Sequence, residues 1–364
     1  MGPHITRRAM MLGAGASLLT ASIGQSQSMT PLKDLRAGIQ IGSYYQPWSK
    51  PDVEALIAYH CDIIAPEWGL KPNNVMKTKG THLFRDADEI MKYANAHDLE
   101  VLGSSLYVPN LKFPWLDIDD YEAVKKVYGD YIKAMARGYP EVETWDVLKS
   151  VTAISKKFVK DPVLERYGNE FVAYLLRTAN EAAPHAKFMI SEFSLSCRAK
   201  WCMKKQRTLF GQIRELRRLG ARIDVVGIQG RLNTRYKPSP ANTARFIRKL
   251  SKIGVEAQIT DLDVNDRELT SVISKRDEIV AEYYYDFLTR VLREENLTRI
   301  VFAGMTDRTS WMRRVKPQGK RSDGSLARPC LFDENLAPKP AYWATVEAFT
   351  HVRKPILKRL IGLG

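Results

Sequence analysis

Eight short β-rich runs alternating with longer amphipathic stretches restrict the fold of this chain more than any other feature. The runs cover residues 39–45, 61–68, 99–107, 142–148, 186–193, 223–230, 255–263 and 298–305. Helical patterns stand between them, among them 86–97, 121–137, 168–183, 205–219, 239–253 and 276–294, and a last one covers 340–352. Strands alternating with helices imply a parallel sheet, because each helix carries the chain back to the same edge. Eight such units fit a closed barrel better than an open sheet. The expected fold is α/β, a single (β/α)8 TIM barrel over residues 29–353. A length of 364 residues, 45% of them hydrophobic, suits one such barrel with added loops, and a core of this size needs no disulfide staples.

Ahead of the barrel, Thr6-Arg7-Arg8 precedes an apolar stretch at 9–19 and then small residues, and no acidic residue occurs before Asp34. That order reads as a twin-arginine export signal over residues 1–28, with cleavage between Ala21 and Ser28. It places the mature chain in the periplasm or outside the cell. The plain alternative is a chance Arg-Arg pair in a cytosolic chain. The apolar stretch is too short to span a bilayer, and no other segment reads as a membrane span. Residues 354–364 read as a basic C-terminal tail. Of the four cysteines, Cys197 and Cys202 could pair in a loop or stay free, and no Cys/His spacing suggests a metal site.

In such a barrel the chemistry sits at the C-terminal ends of the strands. Pro66-Glu67 with Lys71 leaves the second run, Trp145-Asp146-Val147 the fourth and Gly227-Ile228-Gln229 the sixth. Ile259-Thr260-Asp261-Leu262-Asp263-Val264 closes the seventh, and Thr306-Asp307 with Ser310-Trp311 follows the eighth. Leu331-Phe332-Asp333 and Lys339-Pro340-Ala341-Tyr342 come last. Together, in this order, these elements resemble family 10 of the glycoside hydrolases, the endo-β-1,4-xylanase type. The resemblance covers roughly residues 35–350 and implies hydrolysis of a β-linked polysaccharide without any cofactor.

That family's retaining reaction uses two carboxyl groups, roughly 5–5.5 Å apart, one as acid/base and one as nucleophile. The resemblance puts the acid/base at Ser150 and the nucleophile at Asp261, and the Asn before the acid is Lys149 here. Serine does not titrate near neutral pH, and general acid help is worth about 10²–10⁴-fold. Aspartate is one methylene short, and a misplacement of about 1 Å can cost roughly 10²-fold. The family's Gly-His-Thr-Leu-Val-Trp-His segment reads Gly103-Ser104-Ser105-Leu106-Tyr107-Val108-Pro109, its strand-six His is Arg231, and the Asn after its Glu is Trp68. Glu192 is new at the fifth strand. It is either a replacement acid in an inverting geometry or an ion-pair partner, for instance of Lys149.

Glu67, Lys71, Lys149, Gln229, Arg231 and Trp311 are the expected substrate contacts. Trp311 would stack on a sugar face or pack in the core, and Glu67 would touch ligand or pair with Lys71. Asp146 and Asp263 read as structural. Formal charge is +15 at pH 7, and cations gather in the loops that open on the site. They are Arg198, Lys200, Lys204, Lys205 and Arg207 after the fifth strand, and Arg235 and Lys237 after the sixth. Arg308, Arg313, Arg314, Lys316, Lys320 and Arg321 follow the eighth. One-sided charge concentrates anions, and Arg pairs bidentately with carboxylates, so the expected ligand is an anionic polysaccharide. The alternative is a solvated basic surface. Nucleic acid fits export poorly and has no motif here. Two functions stay open: a glycosidase with altered machinery, and a glycan-binding barrel without catalysis in exopolysaccharide production or export. An interaction scaffold is the third, and nothing in the sequence sets an oligomeric state.

Overall fold

The computed structural model describes residues 29–35, 38–111, 113–154, 158–314 and 321–360, and those from Pro31 onward form one compact unit. The export-signal reading of residues 1–28 lies outside the described residues. Eight strands close into a parallel barrel in sequence order. They are β1 (Gln40–Tyr45), β2 (Ile63–Pro66), β3 (Glu100–Gly103), β4 (Thr144–Lys149), β5 (Lys187–Glu192), β6 (Val225–Asn233), β7 (Glu256–Asn265) and β8 (Leu297–Phe302). Gln40 to Ser43 of β1 pair with Arg299 to Phe302 of β8 and seal the ring.

The helices are α1 (Pro51–His60), α2 (Pro72–Val75), α3 (Arg85–Ala96), α4 (Tyr121–Gly138), α5 (Pro162–Ala182), α6 (Lys200–Arg218), α7 (Pro240–Ser251), α8 (Ile273–Val291), α9 (Trp311–Arg314) and α10 (Pro340–Leu360). Helix α1 is absent from the sequence reading, although Val53, Leu56, Ile57 and His60 are buried at helical spacing. Helix α5 begins six residues before the expected 168. Asp161 accepts from Leu164 N, Pro162 takes the first turn, and Gly168 breaks the helical dihedrals at φ 54°. Helix α10 runs to Leu360 and so takes in most of the stretch expected to be a tail.

The inside of the barrel is layered. A polar layer at the N-terminal end joins Arg299 to Gln40, Glu100 and Thr144. Above it lies a small apolar plug of Ile63, Ala65, Leu102, Met189, Val225 and Val301. The larger core fills the space between strands and helices. Trp145 is fully buried against Gly103, where any Cβ would overlap its indole ring. The apolar plug is the floor on which the site stands. Among the described residues no helix is long and apolar enough to cross a membrane.

Candidate functional site

Three strands slip register near their C-terminal ends: β4 against β5 between Asp146 and Leu148, β6 against β7 between Gln229 and Arg231, and β7 against β8 between Ile259 and Leu262. Such bulges re-aim side chains near barrel rims. The last slip coincides with Asp261 at φ 55°, and Ser150, just past β4, stands at φ 62°. Left-handed conformations of non-glycine residues cost roughly 1–2 kcal/mol each. The fold therefore holds both positions against local preference.

Asp261 is buried, lines a narrow well and is held by three side chains. Lys149 Nζ lies 3.0 and 3.2 Å from its two oxygens, and Arg231 Nη2 lies 2.9 Å from Oδ1. The Tyr44 hydroxyl, from β1, also donates to Oδ1. Three of these four contacts converge on Oδ1, and Oδ2 has Lys149 alone, so the two cations neutralise the carboxylate from one side. Burial raises the Asp261 pKa, but Lys149, Arg231 and the Tyr44 hydrogen bond outweigh it and hold the carboxyl well below the usual range. Burial and the Asp261 charge push the Tyr44 hydroxyl up, so it remains a donor. Arg231 also bonds Asp263 Oδ2 at 3.1 Å and lies 4.2 Å from the centre of the Trp311 ring. Trp311 Nε1 donates to the same Asp263 oxygen at 2.5 Å. One face of Trp311, expected to receive a sugar, thus carries a guanidinium instead.

The other predicted residues fall into two groups. Lys71, Glu67 and Lys149 line the same well as Asp261, together with Tyr44, Ser104, Ser105 and Asp146, and the well has room for little more than a water molecule. Lys71 makes no ion pair among the described residues. Its amine lies over the Trp68 ring at 5.5 Å, and burial with the nearby Lys149 charge lowers its pKa to about 8. Glu67 pairs with Arg314 at 2.5 Å and accepts from Gln46 at 2.6 Å, so the alternative of an ion pair with Lys71 is not what forms. At the base of the well Asp146 accepts from Ser191 at 2.7 Å and Ser105 at 3.0 Å. Burial raises its pKa to about 6. Gln229 donates to Ser150 Oγ at 2.9 Å, tying down the position the resemblance assigns to the acid.

Glu192 stands apart. It is fully buried, does not line the well, accepts from Thr152 N at 2.7 Å and meets Lys205 Nζ at 2.8 Å. Its partner is therefore Lys205 and not Lys149, and a sealed carboxylate cannot deliver a proton to a ligand in the cleft. Tyr44, Gln46 and the roles of Arg314 and Lys205 escaped the sequence reading. The exit of the first strand, Tyr44-Tyr45-Gln46, carried the only available signal. Cys197 and Cys202 are joined in a disulfide, and Cys61 and Cys330 are buried thiols. Among the described residues no three His, Cys, Asp or Glu side chains gather into a metal site.

Comparison with known proteins agrees with this frame. Residues 33–348 match the family model for glycosyl hydrolase family 10. Endo-1,4-beta-xylanase 5 of Pyricularia oryzae is 30% identical over 286 residues, covering 77% of this chain and 67% of that protein. Endo-1,4-beta-xylanase A of Thermoanaerobacterium saccharolyticum is 26% identical over 309 residues, or 80% of this chain. The chain spans only about a quarter of that relative's length. In structure the barrel is similar to native xylanase 10B from Thermotoga maritima, with a TM-score of 0.80 at 24% identity over 89% of this chain and 99% of that one. With the motifs at the strand exits, the closed eight-stranded barrel and the family match over most of its length, the chain belongs to glycosyl hydrolase family 10.

Proposed function

We propose that this is an exported polysaccharide-binding member of the family that does not run the retaining reaction, and that its ligand is a β-linked glycan bearing anionic groups. One observation carries the reading: the Asp261 carboxylate is held on both oxygens by Lys149, Arg231 and Tyr44. A nucleophile must present a free lone pair to the anomeric carbon. Here Oδ1 is taken up by Tyr44, Arg231 and Lys149, and the lone pair left on Oδ2 belongs to a carboxylate whose charge two cations already neutralise, which weakens it as a nucleophile. Ser150, tied to Gln229, has no titratable proton to give, Glu67 and Asp263 are already ion-paired, and Asp146 is held by Ser105 and Ser191. Lys71 in the well and the exposed cations after β5 and β6, none of them in an ion pair among the described residues, favour an anionic ligand, and the Cys197–Cys202 disulfide suits an oxidising compartment. The test is binding of the purified mature chain to neutral and acidic β-glycans at low and high salt. Retention of acidic glycans that fades with salt is expected. Binding of equal strength at both salt levels contradicts an anionic ligand.

A further inference from the structure

Residues 193–214 and 225–255 hold thirteen Lys or Arg and no Asp or Glu. These segments include the loops that follow β5 and β6, on the barrel face that holds the site. The two loops are stitched together. Cys197 bridges Pro238, Arg198 N donates to the Lys237 carbonyl at 3.1 Å, and Ser239 N donates to the Ser196 carbonyl at 2.7 Å. The Cys197–Cys202 disulfide fastens the first loop to the opening turn of α6. On this braced surface Arg198, Lys200, Lys204, Arg207, Arg235 and Lys237 are exposed, and none makes an ion pair among the described residues. Between them, Tyr236 is 45% exposed, with its ring edge-on to Trp201 at 5.8 Å and the Arg235 guanidinium 5.6 Å from its centre.

Like charges crowded without counter-charge destabilise the folded chain. Rigid bracing makes the arrangement costly to relax, but it also means that little freedom is lost when a ligand binds. Tyr236 offers an apolar ring face with a polar tip, suited to a sugar ring flanked by carboxylates. We infer that this platform is a second binding site, separate from the well at Asp261, which takes an acidic segment of a polysaccharide. Its carboxylates meet the Arg and Lys heads while a ring packs on Tyr236. Strand β6 connects the two places, since it carries Arg231, a partner of Asp261, and leads within five residues to Arg235 and Tyr236. The inference extends the proposed anionic-glycan reading but does not need the well to be occupied.

The test uses native affinity electrophoresis of the full chain in gels containing carboxymethylcellulose, or hydroxyethylcellulose as its uncharged counterpart. One variant combines R198Q, K200Q, R235Q and K237Q, a second is Tyr236→Ala, and a third, Lys71→Met, reports on the well. Expected is retardation by carboxymethylcellulose only, weakened about tenfold or more in the fourfold variant and less in Tyr236→Ala. All four exchanged side chains are exposed, so an unchanged melting temperature shows that the loss is not unfolding. Full retardation of the fourfold variant overturns the platform and leaves the reading of the well intact. Loss in the fourfold variant with none in Lys71→Met supports the platform and counts against the well. Sedimentation with phosphatidylglycerol vesicles, without retardation by carboxymethylcellulose, overturns the glycan assignment in favour of a membrane surface.

Discussion

The loops after β5 and β6 and the loop after β8 are both rich in arginine and open on the same face, yet their cations do different things. After β8 every described Arg named from the sequence is spent inside the protein. Arg308 meets Asp52 at 2.6 Å, Arg313 meets Glu334 at 3.2 Å and Arg314 meets Glu67 at 2.5 Å. Arg321, buried, pairs with Asp323 and caps the carbonyls of Asp266, Leu269 and Thr270. Lys316 and Lys320 lie outside the described residues. After β5 and β6 only Lys205 is spent this way, on Glu192. The single basic face expected from the sequence is thus two surfaces: a framework whose charges hold a loop, and a platform whose charges face solvent. Composition cannot separate them, because the distinction lies in whether an acid from a distant part of the chain comes within reach.

If the β8 loop is framework, its substitutions should act on stability. Arg321→Ala leaves the carbonyls of Asp266, Leu269 and Thr270 without their donor, while the Asp266 carboxylate keeps Arg276 and Arg328 N, and should cost about 2–4 kcal/mol in chemical unfolding. A loss under roughly 1 kcal/mol would erase the contrast between the two loops. The well supplies a sharper case, a carboxylate buried without a direct cation. Asp146 has a folded pKa raised to about 6. Its stabilising contribution is therefore complete below the unfolded pKa of about 3.9 and is lost as pH rises through about 6. Asp146→Asn should flatten the stability profile between those values by roughly 3 kcal/mol. Asp261, held low by its partners, contributes the other way, and its share disappears only as acid reaches below the usual carboxylate range.

On the platform the effect should appear in binding. Replacing Arg235 and Lys237 by Gln should weaken retention on carboxymethylcellulose several-fold, on the order of 1 kcal/mol. The same exchange at Arg308 should change retention by less than about twofold, because that charge is already paired. Smallest of all, Lys200→Ala should alter unfolding free energy by no more than about 0.5 kcal/mol. A larger loss would mean that Lys200 belongs to the framework after all.

The barrel was legible from periodicity because strands buried on both faces and amphipathic helices leave strong local patterns. The strand exits at Glu67, Lys149, Gln229, Asp261 and Trp311 could be located from the resemblance for the same reason. Their partners could not. Asp261 is bound by residues more than one hundred positions away in Lys149 and more than two hundred away in Tyr44, and no local pattern signals such a meeting. Glu192 shows the limit most clearly. It sits at a strand exit, as an acid would, yet its carboxylate is sealed against Lys205 because the first turns of α6 cover it. The bulge at Asp261 was hidden too, since the seventh strand reads as an unbroken run.

The Lys149–Asp261–Arg231 network underlies the proposal that this chain holds glycan without cleaving it. The direct test is release of new reducing ends from a panel of neutral and acidic β-glycans by the mature wild-type chain, with Asp261→Asn beside it. No release by either protein, from glycans that the wild type retains in a salt-sensitive way, is the predicted result. Release by the wild type that vanishes in Asp261→Asn would contradict it, and would mean that the ion network opens when the substrate arrives.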